Sequence, residues 1–149
     1  MTQHIARATM PIRRPVSDVF NSFVDPSIIT RFWLQSTSGP LARGASVEWH
    51  FMVPGAVEKV TVHEFEDKRR IAFGWSDGVN VAMDFSETGP DRTLLSVEAS
   101  GFAEDDIEAV VGATEGFCIV LCDLKTLLES GRSANLVRDK ALLISESRG

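Results

Sequence analysis

Asp105 to Ser130 reads DDIEAVVGATEGFCIVLCDLKTLLES, and it is the one segment with helical periodicity sustained over more than six turns. At about 100° per residue, Ile107, Val110, Val111, Thr114, Phe117, Cys118, Leu121, Leu124 and Leu128 share one broad face. Ala113, Val120 and Leu127 widen it. The opposite stripe carries Glu108, Gly112, Glu115, Gly116, Asp123 and Thr126. So apolar a helix must lie on something large, and the residues before it alternate as strands do.

Upstream, residues 3–12 read as a first strand ended by Arg13-Arg14-Pro15, since proline cannot donate to a ladder. A short helix fits Val16 to Phe23, and after the Asp25-Pro26 break a second fits Ser27 to Trp33. Gln35 to Ala45 has loop composition. Val47, Trp49 and Phe51 then alternate with Glu48, His50 and Met52. In Val57 to Phe65 both Val60/Val62 and Thr61/His63/Phe65 fit an inward face. Ile71, Phe73 and Trp75 face one way in the next strand, as do Val79, Val81, Met83 and Phe85 in the one after. A two-residue Asp77-Gly78 turn would put these two apolar sets on opposite faces. A three-residue Ser76-Asp77-Gly78 loop pairs Phe73 with Val81 and is preferred. A last strand spans Thr93 to about Gly101, with Leu95, Val97 and Ala99 inward. Beyond the long helix, Gly131 is a stop, Ser133 can cap a helix from Ala134 to about Ile144, and the tail Ser145 to Gly149 is expected to fray.

Strand, two short helices, antiparallel meander and long closing helix is the order of the helix-grip fold. Ile12-Arg13-Arg14-Pro15-Val16-Ser17-Asp18-Val19-Phe20, Asp25-Pro26 with Arg31-Phe32-Trp33, and Thr114-Glu115-Gly116-Phe117 with Leu121-Cys122-Asp123-Leu124-Lys125 carry the resemblance. They are similar to the START-like (SRPBCC) superfamily, and within it to proteins related to the activator of the heat-shock-protein-90 ATPase and to polyketide cyclase-like proteins. The resemblance implies an α+β chain, a single START-like domain over residues 1–149, in which a curved antiparallel sheet of six or seven strands wraps the long helix around a cavity. The eukaryotic activator has a further N-terminal domain for which this chain has no room, so its co-chaperone role is not inherited.

With 149 residues, 44% of them hydrophobic and 24% charged, the chain can bury roughly two-thirds of its unfolded surface. A net charge of −6 argues against nucleic acid or an anionic membrane as partner. The longest apolar run, Phe117 to Leu121, is far short of the ~20 residues a spanning helix needs. No signal peptide is visible, and Cys118 and Cys122, one turn apart on one helix, are poorly placed to bridge each other. The expectation is a protein of the reducing cytoplasm, with no cofactor and no metal.

For each candidate residue a bland reading competes. Glu48 and His50 share a strand face suited to acid–base work, but the alternation turns that face outward. His63 follows the ambiguity of its strand, and His4 reads as solvated. The cysteines lack the third ligand a metal wants and read as small buried hydrophobes. Lys125 either snorkels out or stands at a mouth of the cavity to meet a ligand carboxylate. Gly112 and Gly116 suit close approach by another segment or by a second copy in a homodimer. The residues assigned to the cavity wall are Trp33, Trp49, Phe51, Phe73, Trp75, Val81, Met83, Phe85, Val97, Val110, Thr114, Phe117, Cys118, Leu121 and Lys125. They are core by default; a wall is what the resemblance implies.

GxSxG, HExxH, CxxC, P-loop and GxGxxG elements are all absent. Three functions stay open. The first is binding or transport of a small hydrophobic molecule in the cavity. The second is a cyclase, dehydratase or hydrolase acting on a hydrophobic, polyketide-like substrate, which needs polar groups converging in the cavity. The third is a stress-response or co-chaperone-like interaction module, which needs an exposed apolar patch.

Overall fold

The structure is a computed structural model and describes residues 3–148. Met1 and Thr2 at the start of the leaderless reading, and Gly149 of the expected frayed tail, lie outside the described residues; the chain is helical through Arg148.

The elements follow in the order β1 (Ala6–Ile12), α1 (Val16–Val24), α2 (Pro26–Ile29), β2 (Leu34–Thr37), β3 (Ser46–Phe51), β4 (Val57–Glu66), β5 (Arg70–Gly74), β6 (Asn80–Gly89), β7 (Arg92–Ser100), α3 (Ile107–Ser130) and α4 (Leu136–Arg148). The strands form one antiparallel sheet ordered β1-β7-β6-β5-β4-β3-β2, so α1 and α2 carry the chain from one edge to the other. This is the α+β helix-grip fold.

Alternation decides the buried face. Val47, Trp49, Val60, Val62, Ile71, Phe73, Val81, Met83, Phe85, Leu95, Val97 and Ala99 are all buried on the helix side. Fully burying each large one contributes about 1.5–3 kcal/mol. β5 and β6 pair Phe73 with Val81 and Ile71 with Met83, the register of the three-residue loop, and Gly78 takes the left-handed φ of 93° that loop requires. The two readings of the β4 face are each half correct, because His63 is an extra residue between the pairs Val62–Phe73 and Glu64–Ala72. The bulge flips the phase. Val60 and Val62 are therefore buried before it, and Phe65 turns inward after it to meet Phe20 at 5.4 Å.

Two boundaries differ from expectation. The second helix stops at Ile29, and Gln35 to Thr37, read as the start of a loop, join Leu34 in edge strand β2, which pairs with β3 through a register shift between Leu34 and Ser36. Short, polar and irregular, β2 offers no alternation to recognise.

Helix α3 begins at Asp106, whose carboxylate accepts from the Ala109 N–H, and ends at Gly131 with φ 84°. Its C-terminal half packs into the core through Val120, Leu121, Leu124 and Leu127. Lys125 donates to the Pro11 carbonyl at 2.9 Å, and Glu129 accepts from the Arg13 N–H at 2.9 Å, tying this end to the β1–α1 junction. The N-terminal half is less covered, with Ile107 50% and Val111 62% exposed. No helix among the described residues is long and apolar enough to cross a membrane.

Candidate functional site

Between the exposed half of α3, the sheet and α4 lies an open-mouthed cavity of about 390 Å³. Ligand pockets run from about 300 to 1,000 Å³, so it is large enough for a small molecule.

Four groups of residues wall it. Trp33 comes from the turn between α2 and β2, Phe51 from the end of β3, and Trp75 from the residue after β5. Met52, Val53 and Ala56 come from the β3–β4 hairpin, where Ala56 donates to the Val53 carbonyl at 3.0 Å and Gly55 takes a positive φ of 84°. Ala113, Gly116, Phe117, Ile119 and Val120 come from α3. Val137, Lys140, Ala141 and Ile144 come from α4. The aromatic wall is rigidly braced from behind. Trp49, 1% exposed, meets Trp33 at 4.9 Å and Trp75 at 5.7 Å, both edge-on, and Phe117 closes on Trp33 at 6.1 Å.

Of the residues assigned to the wall from sequence, Trp33, Phe51, Trp75 and Phe117 are brought together here. Trp49, Phe73, Val81, Met83, Phe85, Val97 and Leu121 are buried core. Val110 and Thr114 lie half-buried along α3 off the cavity, with Thr114 donating its hydroxyl to the Val110 carbonyl at 2.8 Å. Cys118 is exposed and Cys122 half-buried, rather than both packed as small hydrophobes. Lys125 stands at the far end of α3, bonded to Pro11 and ion-paired with Glu129, and reaches no cavity mouth. The lysine at the cavity is Lys140.

The cause is the phase of α3. Ile107, Val111 and Cys118, expected inward, are exposed, while Gly116, assigned to the opposite stripe, faces the cavity beside Ala113 and Val120. Asp123, assigned to the polar stripe, is 1% exposed. Its carboxylate accepts from the Ser133 hydroxyl at 3.0 and 3.1 Å and from the Ala134 N–H at 3.0 Å. This polar knot redirects the chain after Gly131, where Asn135 has a φ of 60°, and sets α4 against α3. Helix α4 was missed as a wall. Its cavity residues 137, 140, 141 and 144 have the i, i+3, i+4, i+7 spacing of an amphipathic face, a signal hidden by exposed Leu136, Leu142 and Leu143 on its other sides.

Glu48 and His50 are partners at 2.7 Å on the outer face of β3, both well exposed. His63 is exposed beside a second, more polar hollow of about 300 Å³ on the outer face of the sheet, which Glu64, Arg70, Asn80 and Glu98 also line. There the Arg70 guanidinium is held above its ordinary range by its hydrogen bonds to Asp84, against the opposing pull of burial. Burial pushes the Glu129 carboxyl up, but the Arg13 N–H and Lys125 together outweigh it and hold it below the usual range. Among the described residues no group of three or more His, Cys, Asp or Glu side chains could hold a metal ion.

A family model described as Activator of Hsp90 ATPase homolog 1-like protein matches residues 13–129. The chain belongs to this family. The match spans α1 to β7 and nearly all of α3 but stops before α4, so one wall of the cavity lies outside the part matched to the Activator of Hsp90 ATPase homolog 1-like model. Among solved structures, the protein SSP2350 from Staphylococcus saprophyticus is 27% identical, with a TM-score of 0.78 over 87% of this chain and 95% of that one. DynU16, a protein in the dynemicin biosynthetic locus, is 24% identical with a TM-score of 0.77, and 87% of this chain covers 48% of it. Aha1 from Colwellia psychrerythraea, solved as a dimer, is 16% identical with a TM-score of 0.76 over 87% and 99%. The last two show the shared fold alone. A comparison with curated proteins finds no match.

Proposed function

We propose that this family member binds a small hydrophobic molecule in the cavity between the sheet, α3 and α4. The observation that carries the reading is the about 390 Å³ space walled by Trp33, Phe51, Trp75 and Phe117. Close-packed cores seldom leave voids larger than a water, and solvated apolar walls are a cost unless something covers them. The catalytic alternative gains no support from the geometry. Lys140 is the one titratable residue among those lining the cavity, so no acid–base pair converges there.

A thermal-shift screen of fatty acids, flavonoids and aromatic polyketides tests the reading. A ligand at 100 times its Kd adds about 2.7 kcal/mol, which for a chain of this size raises Tm by about 5–10 °C. No shift from any apolar class would contradict it.

A further inference from the structure

We propose that the ligand is an amphipathic anion, with its apolar body against the aromatic wall and its acidic headgroup held by the Lys140 ammonium. This rests on the ligand-binding reading above.

The polar side-chain groups around the cavity are nearly all donors. Lys140 brings an ammonium, and Trp33 and Trp75 bring indole N–H groups that donate no hydrogen bond to another described residue. Trp33 is only 6% exposed, yet no fully buried side-chain nitrogen or oxygen is left unpartnered among the described residues, so its N–H remains reachable by solvent. No carboxylate, amide or hydroxyl side chain lines the space. Donors without acceptors select a ligand that accepts.

Lys140 is free to respond. Its partner is Glu115 on α3 at 3.0 Å, with side-chain exposures of 38% and 59%. So exposed a pair is weak, and a ligand acid replaces one carboxylate by another while the lysine stem stays against apolar surface. Aromatic faces also attract cations, but the Lys140 ammonium at the same wall repels them. In an apolar cavity without that lysine, an alcohol would bind better than the matching acid, because the carboxylate loses its water unpaid. The order of acid and alcohol therefore reads out Lys140.

The test follows tryptophan fluorescence while decanoate, 1-decanol and decyltrimethylammonium are titrated, each below its aggregation limit, into wild type, Lys140→Met, Lys140→Arg and Glu115→Gln. Wild type is expected to bind decanoate at least about threefold tighter than decanol, in keeping with one partly exposed charge-assisted hydrogen bond. Lys140→Met reverses that order, and a far-UV circular dichroism spectrum and Tm matching wild type show the fold intact. Lys140→Arg keeps the preference, and Glu115→Gln strengthens decanoate by freeing the ammonium. Decanol binding as tightly as decanoate to wild type, decanoate binding unaffected by Lys140→Met, or the ammonium compound binding best each overturns the anion assignment while leaving the cavity reading standing. No saturable binding by any of the three overturns both.

Discussion

Replacing Gly116 with alanine is expected to stabilise the protein, although the position lines the cavity on its longest helix. An ideal Cβ built at Gly116 meets no heavy atom within 4 Å, and the same is true at Gly112. No overpacking cost therefore opposes the gain. Glycine inside a helix is about 0.8–1.0 kcal/mol less favourable than alanine, chiefly through backbone entropy in the unfolded chain. Each substitution should recover most of that, and for a chain of 149 residues it corresponds to about 2–4 °C in Tm. Calorimetry at two protein concentrations a factor of about 30 apart is the assay. A gain independent of concentration supports the open space around the glycine stripe. A loss of stability at either position would refute it, and a loss that deepens on dilution would mean that a second copy packs on these glycines. Gly116→Leu then separates stability from binding. Its side chain enters the cavity, so the fold is expected to persist while binding of decanol falls below detection.

Three further expectations follow from particular contacts. Asp123→Asn removes the carboxylate that fixes Ser133 and Ala134, and losing a buried charge-assisted hydrogen bond costs about 1.5–3 kcal/mol; hydrogen exchange of residues 136–148 should quicken more than that of the sheet, and uniform quickening would contradict the local role. Glu129 titrates below its unfolded value, so its stabilising contribution is present above that value and is lost as pH falls through the folded one. Glu129→Gln should thus weaken the protein at neutral pH and flatten the acid limb of its stability profile in urea titrations, whereas a constant deficit at every pH would dismiss the ion pair. Trp49→Ala, behind the aromatic wall and 1% exposed, should cost about 3–5 kcal/mol and loosen Trp33 and Trp75 together, measured by urea unfolding; a cost below about 1 kcal/mol would show that these rings are not braced by it.

What sequence could disclose depended on how strongly each segment was patterned. The β5–β6 register followed from Phe73, Trp75, Val79 and Val81, because a one-residue slip there would expose a whole apolar set. The β4 face was undecidable for a physical reason: the bulge at His63 gives the strand two phases in succession. Helix α3 misled because it is apolar nearly all round, so its wheel has no sharp centre, and the Asp123 knot and helix α4 fix its rotation. Four wall positions were legible as aromatics at strand ends and mid-helix. Lys140 was not, since a lysine in a polar terminal helix has no pattern that marks it, and Lys125 in the middle of an apolar face drew attention instead.

The three tryptophans allow the cavity reading to be tested at single rings. With ¹⁵N-labelled protein, indole N–H resonances are followed as decanoate is added. Saturable shifts at Trp33 and Trp75 with one shared Kd, and a much smaller shift at the buried Trp49, are the expected result. Absence of saturable shifts at both, or shifts confined to backbone amides around His63 and Asn80 on the outer face, would contradict it.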